Sequence, residues 1–542
     1  MSELGKAQTG GLGAGGSPTA LRAPIAVPGI ESPWIVAVSV MLATFMEVLD
    51  TAIASVALPY IAGSLSASTE EATWVLTSYL IANAIVLPAS NWFSMQIGRK
   101  RFFLICVAIF TASSFACGAA PTLGFILVAR VLQGAGGGAL QPLSQSILLE
   151  SFPPEKRGVA MALFGFGVVC APVLGPTLGG WLTDAYSWRY AFYINIPVGI
   201  LAMLMIGRFV HDPPHMRGSK SMSFDSIGLG TLIVWTGCLQ IILDKGQEDD
   251  WFGAIWIRWA ALLLVISFIW FVWHSWRAEY PLVNLRVLKN WNFAIGCLLI
   301  LIFGISIYST VTVLPLFYQE LLGYTAFTAG IVVAPRGVGS ILAMPVIAYL
   351  SDRVDARYLL TFGFILFAVT TLYMGSVTTQ ISPWTLLIPI LVTGFGVGFI
   401  FVPISTQAYG TLPREQIGAA SGLYNLMRNI GGSIGVSLTA TLLTRRGSVH
   451  QNEMTNYIPR SGLQFQSSMH AEMRALTPHF GPAHVRYPAE WQLYRQLIYQ
   501  ASDWAFVDVL RWLALLCLSG AGIVWLFRNV PKGQAAAEPE LH

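Results

Sequence analysis

The sequence predicts an all-α polytopic membrane protein. Three features support this prediction: the composition, the long apolar stretches and the placement of the basic residues. Of the 542 residues, 55% are hydrophobic and only 11% are charged, whereas a soluble domain carries about 25% charged residues. Apolar stretches long enough to cross about 30 Å of hydrocarbon recur from Trp34 almost to the C-terminus. These features exclude an ordinary soluble globular protein.

The apolar stretches predict about fourteen membrane-spanning helices, each near the roughly 20 residues that one span requires. In chain order, the predicted spans are residues 34–60, 73–93, 102–120, 123–149, 158–183, 189–209, 226–243, 254–273, 292–318, 325–349, 358–376, 383–406, 417–443 and 504–528. An even number of spans places both ends of the chain on the same side of the membrane.

Basic residues cluster in alternate loops, which predicts the orientation because Lys and Arg near span ends are retained in the cytoplasm. The predicted cytoplasmic loops contain Arg99, Lys100, Arg101, Lys156, Arg157, Arg217, Lys220, Arg286, Lys289, Arg353 and Arg357. The opposite loops are acidic or nearly uncharged. Both termini are therefore predicted to be cytoplasmic. The net charge of +4 reflects this orientation signal, and we expect no nucleic-acid partner.

The predicted domain organisation begins with residues 1–30, whose Gly, Ser, Ala and Pro content indicates a disordered cytoplasmic tail. An N-terminal six-helix half at 31–210 is followed by a linker at 211–285 with two extra transmembrane helices. A C-terminal six-helix half at 286–530 precedes a second cytoplasmic tail at 531–542.

Several classes of function lack the residues that they require. The six cysteines lie inside predicted spans without ligand spacing, so we expect neither a disulfide framework nor a metal site. No phosphate-binding loop is present, and no nucleophile and base are clustered as in an enzyme. We therefore expect a transporter that uses no cofactor and draws its energy from an ion gradient, with a titratable group inside the membrane.

Two acidic residues lie within the first predicted span. Glu47 and Asp50 are separated by three positions, so they share one face of a helix. Burial and mutual repulsion favour a proton on at least one of two such carboxyl groups. We expect Asp50 to carry a coupling proton and Glu47 to assist it. The alternative is a carboxylate that is permanently paired with a nearby Arg.

Three arginines lie within other spans, namely Arg130, Arg336 and Arg428. Charged side chains at this depth are costly and face the bundle interior. Each arginine can be a structural counter-ion, part of a proton relay or an attractor for an anionic substrate. We assign Arg130 to proton coupling and the other two to a cavity for bulky amphiphiles, including acidic ones. Further residues expected to line this cavity are Asn425, Trp74, Tyr79, Phe317 and Tyr424.

The fifth span combines small residues with prolines, namely Gly167, Pro172, Gly175, Pro176, Gly179 and Gly180. The spacing of Gly175 and Gly179 lets two helices approach closely, and the prolines bend the helix by removing backbone donors. A bent, tightly packed helix between two halves of a transporter can resist leakage. Improved packing alone is the simpler interpretation.

An internal repeat indicates how the spans are arranged. The segment Asn91–Lys100 aligns with Ala348–Arg357, and Gly158 opens span five as Gly418 opens span thirteen. Two homologous six-helix halves, with spans seven and eight inserted between them, account for the predicted total. Such halves enclose a substrate site near the bilayer midplane and rock around it.

Together these motifs resemble the major facilitator superfamily, in particular its 14-span drug:proton antiporters of the EmrB/QacA type. The resemblance rests on Leu49–Pro59, Arg130–Gly134 and Gly167–Gly180, and it covers about Trp34 to Arg528. It implies the major facilitator fold, with two six-helix halves plus two inserted helices. It also implies proton-coupled efflux of hydrophobic or amphipathic drugs across the bacterial inner (cytoplasmic) membrane. In this family the fourth-span Arg is tied to proton transfer and the fifth-span motif to export.

Three further stretches resemble the EmrB branch of this family: Pro142–Ser146, Leu243–Phe252 and Ala334–Gly337. Membership of that branch implies a tripartite pump. Its other components are a periplasmic adaptor (a membrane fusion protein, EmrA-like) and an outer-membrane channel (TolC-like).

The first-half loop departs from the superfamily pattern. Met95 holds the acidic position and Asn91 the first glycine position, whereas Asp352 is retained in the second-half copy. In the superfamily this acidic residue helps to stabilise the outward-facing state. The sequence therefore leaves the contribution of the first-half gate open.

A long polar stretch, residues 444–503, separates the last two spans on the predicted outer face; we call it the outer segment. Trp491, Tyr494, Leu497 and Ile498 recur in it at helical spacing and predict an amphipathic face. Two interpretations stay open: a solvated loop with a short interfacial helix, or a surface on which the adaptor docks.

The main alternative function is a proton-coupled exporter or symporter of a specific metabolite, lipid or siderophore, since such transporters share the fold. The fifth-span motif argues against a symporter because the resemblance associates that motif with exporters.

Overall fold

The computed structural model describes residues 32–153, 156–212, 225–351, 353–376, 383–457 and 462–528. The two predicted terminal tails, the loop residues Arg217 and Lys220, and Asp352 lie outside these described residues.

The described residues of the first half form eight α-helical segments. They are α1 (Pro33–Ser64), α2 (Thr69–Ile97), α3 (Arg99–Gly118), α4 (Leu123–Gly137), α5 (Leu140–Ser151), α6 (Arg157–Ala185), α7 (Tyr190–Tyr193) and α8 (Asn195–Phe209). The predicted span 123–149 is thus divided into α4 and α5 within a run of glycines. The predicted span 189–209 is divided into the short α7 and α8.

The described residues of the rest of the chain form ten more α-helices. They are α9 (Ser226–Lys245), α10 (Ile255–Arg277), α11 (Trp291–Leu316), α12 (Ala326–Val333), α13 (Pro335–Ser351), α14 (Ala356–Met374), α15 (Pro383–Gly410), α16 (Ile417–Tyr457), α17 (Leu463–Phe480) and α18 (Arg486–Ile523). A π-helical turn, Phe317–Leu321, extends α11, and the predicted span 325–349 is divided into α12 and α13.

Among the described residues, thirteen helical stretches are long and apolar enough to cross a membrane, and the chain is a multi-pass membrane protein. The predicted span that is missing from these thirteen, 417–443, is the first part of α16. Its polar residues lower its hydropathy, but Asn425 and Arg428 are almost fully buried between helices. Polar side chains are tolerated at membrane depth when they face the bundle interior. The fold agrees with the predicted fourteen spans.

The two halves repeat each other in helix boundaries and in packing. α2 and α12 each begin after a hydroxyl-bearing residue, Ser68 and Thr325, whose side chain accepts from the backbone N–H three positions later. α1 packs on α6 as α11 packs on α16, and α3 packs on α4 as α14 packs on α15. The repeat seen in the loops therefore extends through the helices.

The seam between the halves is formed by α2 against α16, α5 against α16, and α6 against α12, α13 and α15. A Cβ at Gly422 would lie 3.3 Å from the Leu87 carbonyl oxygen, so glycine allows α16 to approach α2 closely. The inserted helix α9 covers this seam by packing on α2 and α16, and α10 packs on α9. Side chains of α10 such as Trp259 and Ile269 point outward, where lipid can cover them.

The structure corrects the description of the outer segment as a loop. α16 continues to Tyr457, α17 follows, and α18 begins at Arg486 and runs unbroken to Ile523. The 41 residues of α16 exceed the roughly 20 that cross a bilayer. The part of α16 beyond residue 443 is polar. Hydropathy therefore predicted where the membrane span ends, but not where the helix ends.

Candidate functional site

Asp50 and Arg130 form a buried ion pair between α1 and α4. Asp50 Oδ2 and Arg130 Nη1 are 2.6 Å apart, and neither side chain is exposed. Asp50 Oδ1 also accepts hydrogen bonds from the side-chain amides of Gln133, at 2.8 Å, and Asn195, at 2.6 Å. The carboxylate therefore has one charged and two neutral donors, which is the compensation that a buried charge requires.

The guanidinium of Arg130 is held by further contacts. Nε donates to the Val75 carbonyl at 2.9 Å, Nη1 donates to Gln133 Oε1 at 2.8 Å, and the group lies 4.2 Å from the Tyr79 ring centroid. Nη2 is buried and has no hydrogen-bond partner within the described part of the chain. Arg130 thus keeps one free donor beside Asp50.

Glu47 lies one turn before Asp50 on α1 but has different partners. Its Oε1 accepts from the Tyr79 hydroxyl and the Asn83 amide, both at 3.1 Å, and its Oε2 accepts from the Gln141 amide at 2.5 Å. The side chain is buried, and no Lys or Arg of the described residues forms an ion pair with it. The structure therefore separates two carboxyl groups on one helix face: Asp50 is paired with a cation, whereas Glu47 is held by neutral donors.

Gln141 links Glu47 to the second half. Its amide nitrogen donates to Glu47, and its Oε1 accepts a short hydrogen bond from Arg428 Nη2 on α16. Nε and Nη1 of Arg428 have no hydrogen-bond partner among the described residues. A change at Glu47 can therefore reach α16 through a single side chain.

A second polar contact crosses the seam one helical turn further along α5. Gln145 Oε1 accepts from the Asn425 amide at 2.6 Å and from the Tyr409 hydroxyl at 3.1 Å. The hydroxyl of Tyr424 lies 3.1 Å from Ser405 Oγ. The ring of Tyr424 also packs on Tyr409, with 5.3 Å between the centroids. The structure thus joins four of the predicted cavity residues to one polar region between the halves: Tyr79, Asn425, Arg428 and Tyr424.

The other predicted cavity residues lie elsewhere. Trp74 lines a groove of about 460 Å³ between α2, α9 and α10. Phe317 packs against Phe506 in an apolar cluster of the second half. The sequence shows that a span contains aromatic residues, but it does not show which side of the helix faces the centre of the protein.

Arg336 is buried without a partner. Its side chain is 1% exposed, and Nε, Nη1 and Nη2 all lack hydrogen bonds within the described ranges. Tyr318 interacts electrostatically with it, and the Tyr318 hydroxyl likewise lacks a hydrogen-bond partner. Arg336 is therefore a positive charge that has no anionic partner among the described residues.

The fifth-span motif forms the contact between α6 and α1. A Cβ at Gly175 would overlap Ala52, and one at Gly179 would lie 3.2 Å from the Ile53 Cα. One at Gly167 would overlap the end of Met41, whereas nothing lies within 4 Å of that position at Gly180. Pro172 and Pro176 lie inside the same helix. The motif brings α6 against the turn of α1 that follows Asp50.

The first-half loop is held by acidic residues from other segments. Arg99 Nη1 pairs with Glu150 Oε1 at 2.8 Å, and Asp212 Oδ1 accepts from the Lys100 backbone N–H at 2.7 Å. Asn91 contacts Gly418 at the start of α16, where a Cβ would overlap its Oδ1. Met95 cannot supply an acidic group to this loop, and the acidic contacts of the loop come from Glu150 and Asp212 instead.

Sequence reasoning missed four neutral residues of the site: Gln133, Asn195, Asn83 and Gln141. Each is an amide side chain buried inside a helix. An amide buried at membrane depth requires a polar partner. An Asn or Gln inside a predicted span could therefore have been recognised from the sequence as a candidate site residue.

A family model described as Major Facilitator Superfamily matches residues 40–436. The chain is 38% identical over 434 residues to the Multidrug export protein EmrB of Escherichia coli (strain K12), and the match covers 78% of this chain and 83% of that protein. It is 36% identical over 451 residues to the Fatty acid resistance protein FarB of Neisseria gonorrhoeae, covering 83% and 88%.

A solved structure has the same fold. The crystal structure of the human organic anion transporter MFSD10 (TETRAN) matches with a TM-score of 0.57 at 12% sequence identity, covering 90% of this chain and 100% of that chain. At this identity the match establishes the arrangement of helices alone.

Proposed function

The chain belongs to the major facilitator superfamily and, within it, to the EmrB-type branch, and from this we propose that it is a proton-coupled exporter of hydrophobic and amphipathic compounds. Its membership makes it a membrane transporter, and the names of its relatives support multidrug or fatty acid efflux. The observation that carries proton coupling is the pair of buried carboxyl groups, Glu47 and Asp50, on one face of α1.

Proton exchange at Asp50 is controlled by Arg130. A proton on Asp50 removes the attraction across the 2.6 Å ion pair, and it leaves a buried cation whose burial costs several kcal/mol. Only a state in which water or another anion reaches Arg130 can accommodate that proton. Proton binding is therefore tied to a change in helix packing.

Glu47 accepts a proton at a lower electrostatic cost, because none of the described Lys or Arg side chains forms an ion pair with it. Its proton changes the hydrogen bond to Gln141, and Gln141 contacts Arg428 in the other half. This chain links the charge on α1 to the seam that must open and close during transport.

The fifth-span motif supports export and not import. Close packing of Gly175 and Gly179 against α1 holds α6 beside the proton site while α6 also contacts the second half. A tight contact at this place resists proton leakage when substrate is absent.

We place the protein in the bacterial inner membrane with both termini in the cytoplasm, following the distribution of basic residues. We also assign it a periplasmic adaptor and an outer-membrane channel as partners. The exposed face of the outer segment supports this assignment, since Tyr457, Leu463 and Tyr487 are at least 78% exposed and such apolar surfaces mark contact sites.

Everted membrane vesicles test the function. Vesicles that contain the chain are acidified inside, and acidic, neutral and cationic amphiphiles are added one class at a time. An exporter dissipates the pH gradient when a substrate is added, and vesicles with Asp50→Asn do not respond. A gradient that no amphiphile changes would reject proton-coupled export, and release of a preloaded metabolite from the vesicles together with protons would favour a symporter.

A further inference from the structure

The second half contains buried arginines but almost no acid to pair with them. Helices α11 to α15 contain no Asp or Glu. Glu320 lies on the π-helical turn that follows α11 and is exposed, and the first acid of α16 is Glu453, beyond the predicted end of the span. Within the described residues of this half, Arg336 is fully enclosed and all three guanidinium nitrogens lack partners. An isolated buried charge is strongly unfavourable. An anion must therefore reach this position in some state of the transport cycle.

The repeat of the two halves shows what is missing. Helix starts at Thr69 and Ala326 correspond, and the same alignment pairs Tyr79 with Arg336. The packing confirms this pairing, because the Tyr79 carbonyl faces Gly134 on α4 and the Arg336 carbonyl faces Gly394 on α15.

The glycines of α4 and α15 extend the comparison. Aligning Gly134 with Gly394 places Ile390 at the position of Arg130. The first half thus has a cation on α4 and two carboxyl groups on α1. The second half has its cation on α13, an apolar residue on α15 and no carboxyl group on α11. The second half therefore has no carboxyl group at the positions of α11 that correspond to the two carboxyl groups of α1.

Among the described residues, a buried apolar cluster and the Tyr318 hydroxyl lie near Arg336. Val332 and Val333, one turn before Arg336, belong to a buried cluster with Phe317, Tyr318, Ile390 and Phe506. The hydroxyl of Tyr318 is buried without a hydrogen-bond partner. A cation and a free hydroxyl beside an apolar cluster suit a molecule with an anionic head and an apolar body.

We propose that Arg336, with the Tyr318 hydroxyl, binds the carboxylate of an amphiphilic substrate whose apolar part packs on the cluster of Val332, Val333, Phe317 and Phe506. The inference rests on the proposed export function and names one substrate class for it. Carboxylate binding supplies an anionic partner to Arg336, so this site binds an ionised carboxylate more tightly than its neutral analogue.

The test compares two ligands that differ only in charge, decanoate and decanamide. Their affinities for the purified full chain in lipid nanodiscs are measured by calorimetry for the wild type, Arg336→Gln, Tyr318→Phe and Arg511→Gln. Arg511 is half exposed, so its replacement removes the same charge from a surface position. Arg336→Gln should lower the ratio of decanoate affinity to decanamide affinity at least tenfold, and Tyr318→Phe should lower it about threefold. Arg511→Gln should leave the ratio within twofold of the wild type.

Stability distinguishes a binding role from a structural one. If Arg336 is unpaired until a carboxylate binds, Arg336→Met should raise the thermal midpoint of the ligand-free protein and abolish the increase that decanoate causes in the wild type. An unchanged affinity ratio in Arg336→Gln, or a lowered midpoint with equal loss of both ligands, would overturn the proposal.

Failure of export is a separate result. A wild type that binds decanoate through Arg336 but moves no amphiphile would contradict the proposed function and leave this site standing. A wild type that exports decanamide in exchange for protons, but binds decanoate and decanamide with equal affinity, would contradict the binding site and leave the export function standing.

Discussion

Asp50 and Arg130 form an ion pair that is 2.6 Å long and completely shielded from solvent. Removing one partner of such a pair costs about 3–5 kcal/mol, because the other charge is left buried and uncompensated. The pair therefore stabilises the observed position of α1 relative to α4. It also sets a condition for transport, since a proton can reach Asp50 only if Arg130 gains another partner.

Asp50→Asn should remove proton-driven efflux and lower the free energy of unfolding by about 3–5 kcal/mol. The amide keeps the shape of the side chain but cannot carry a proton, and Arg130 becomes an unpaired buried cation. Thermal unfolding and vesicle efflux measure the two effects. Asp50→Asn combined with Arg130→Met should recover most of the stability and none of the efflux. Proton-driven efflux by Asp50→Asn at the wild-type rate would remove Asp50 from the coupling mechanism.

Gln141→Leu should slow proton-driven transport about tenfold while substrate affinity changes less than twofold. Leucine fills a similar volume, but it breaks the connection from Glu47 to Arg428. Ser421→Ala is the matched control, because Ser421 Oγ donates across the same seam to the Pro142 carbonyl at 3.1 Å without contacting Glu47. Equal slowing in both variants would mean that general weakening of the seam is responsible.

Cysteines introduced one at a time at Ser17 and Ser468 should react oppositely with an impermeant thiol reagent. The six native cysteines are first replaced. With both termini in the cytoplasm and the outer segment outside, Ser468→Cys in intact cells is labelled and Ser17→Cys is not. Labelling of Ser17→Cys in intact cells would reverse the topology.

Replacing α17 (Leu463–Phe480) with a Gly/Ser linker should reduce co-purification of the adaptor while transport in isolated vesicles persists. Helix α17 packs on α18 outside the predicted spans. The replacement leaves Arg446 and His450 of α16 in contact with Asp508 of α18, at 2.6 Å and 2.9 Å. A linker of equal length in the terminal tail at 531–542 is the control. Adaptor capture that is unchanged by the α17 replacement would locate docking elsewhere.

The sequence predicted the fold well because hydropathy and charge asymmetry report directly on the membrane. It also placed Glu47 and Asp50 on one helix face, since that relation is local. Their partners were less accessible. The pairing of Asp50 with Arg130 depends on where α1 and α4 lie in the bundle, and the role of Gln141 is visible only once its neighbours are known. Trp74 was assigned to the central cavity because its rotation on α2 cannot be inferred from hydropathy.

Counter-transport in proteoliposomes tests proton-coupled export most directly. Purified protein is reconstituted without an initial pH gradient, an amphiphile gradient is imposed, and internal pH is followed with a trapped dye. In the wild type, substrate leaving the lumen should drive protons inward. In Glu47→Gln this proton movement should fall at least tenfold while substrate exchange at equal pH persists, because the amide cannot be protonated. Glu47→Asp, which keeps the carboxyl group, should retain part of the signal. Substrate flux through the wild type with no movement of protons would contradict the account.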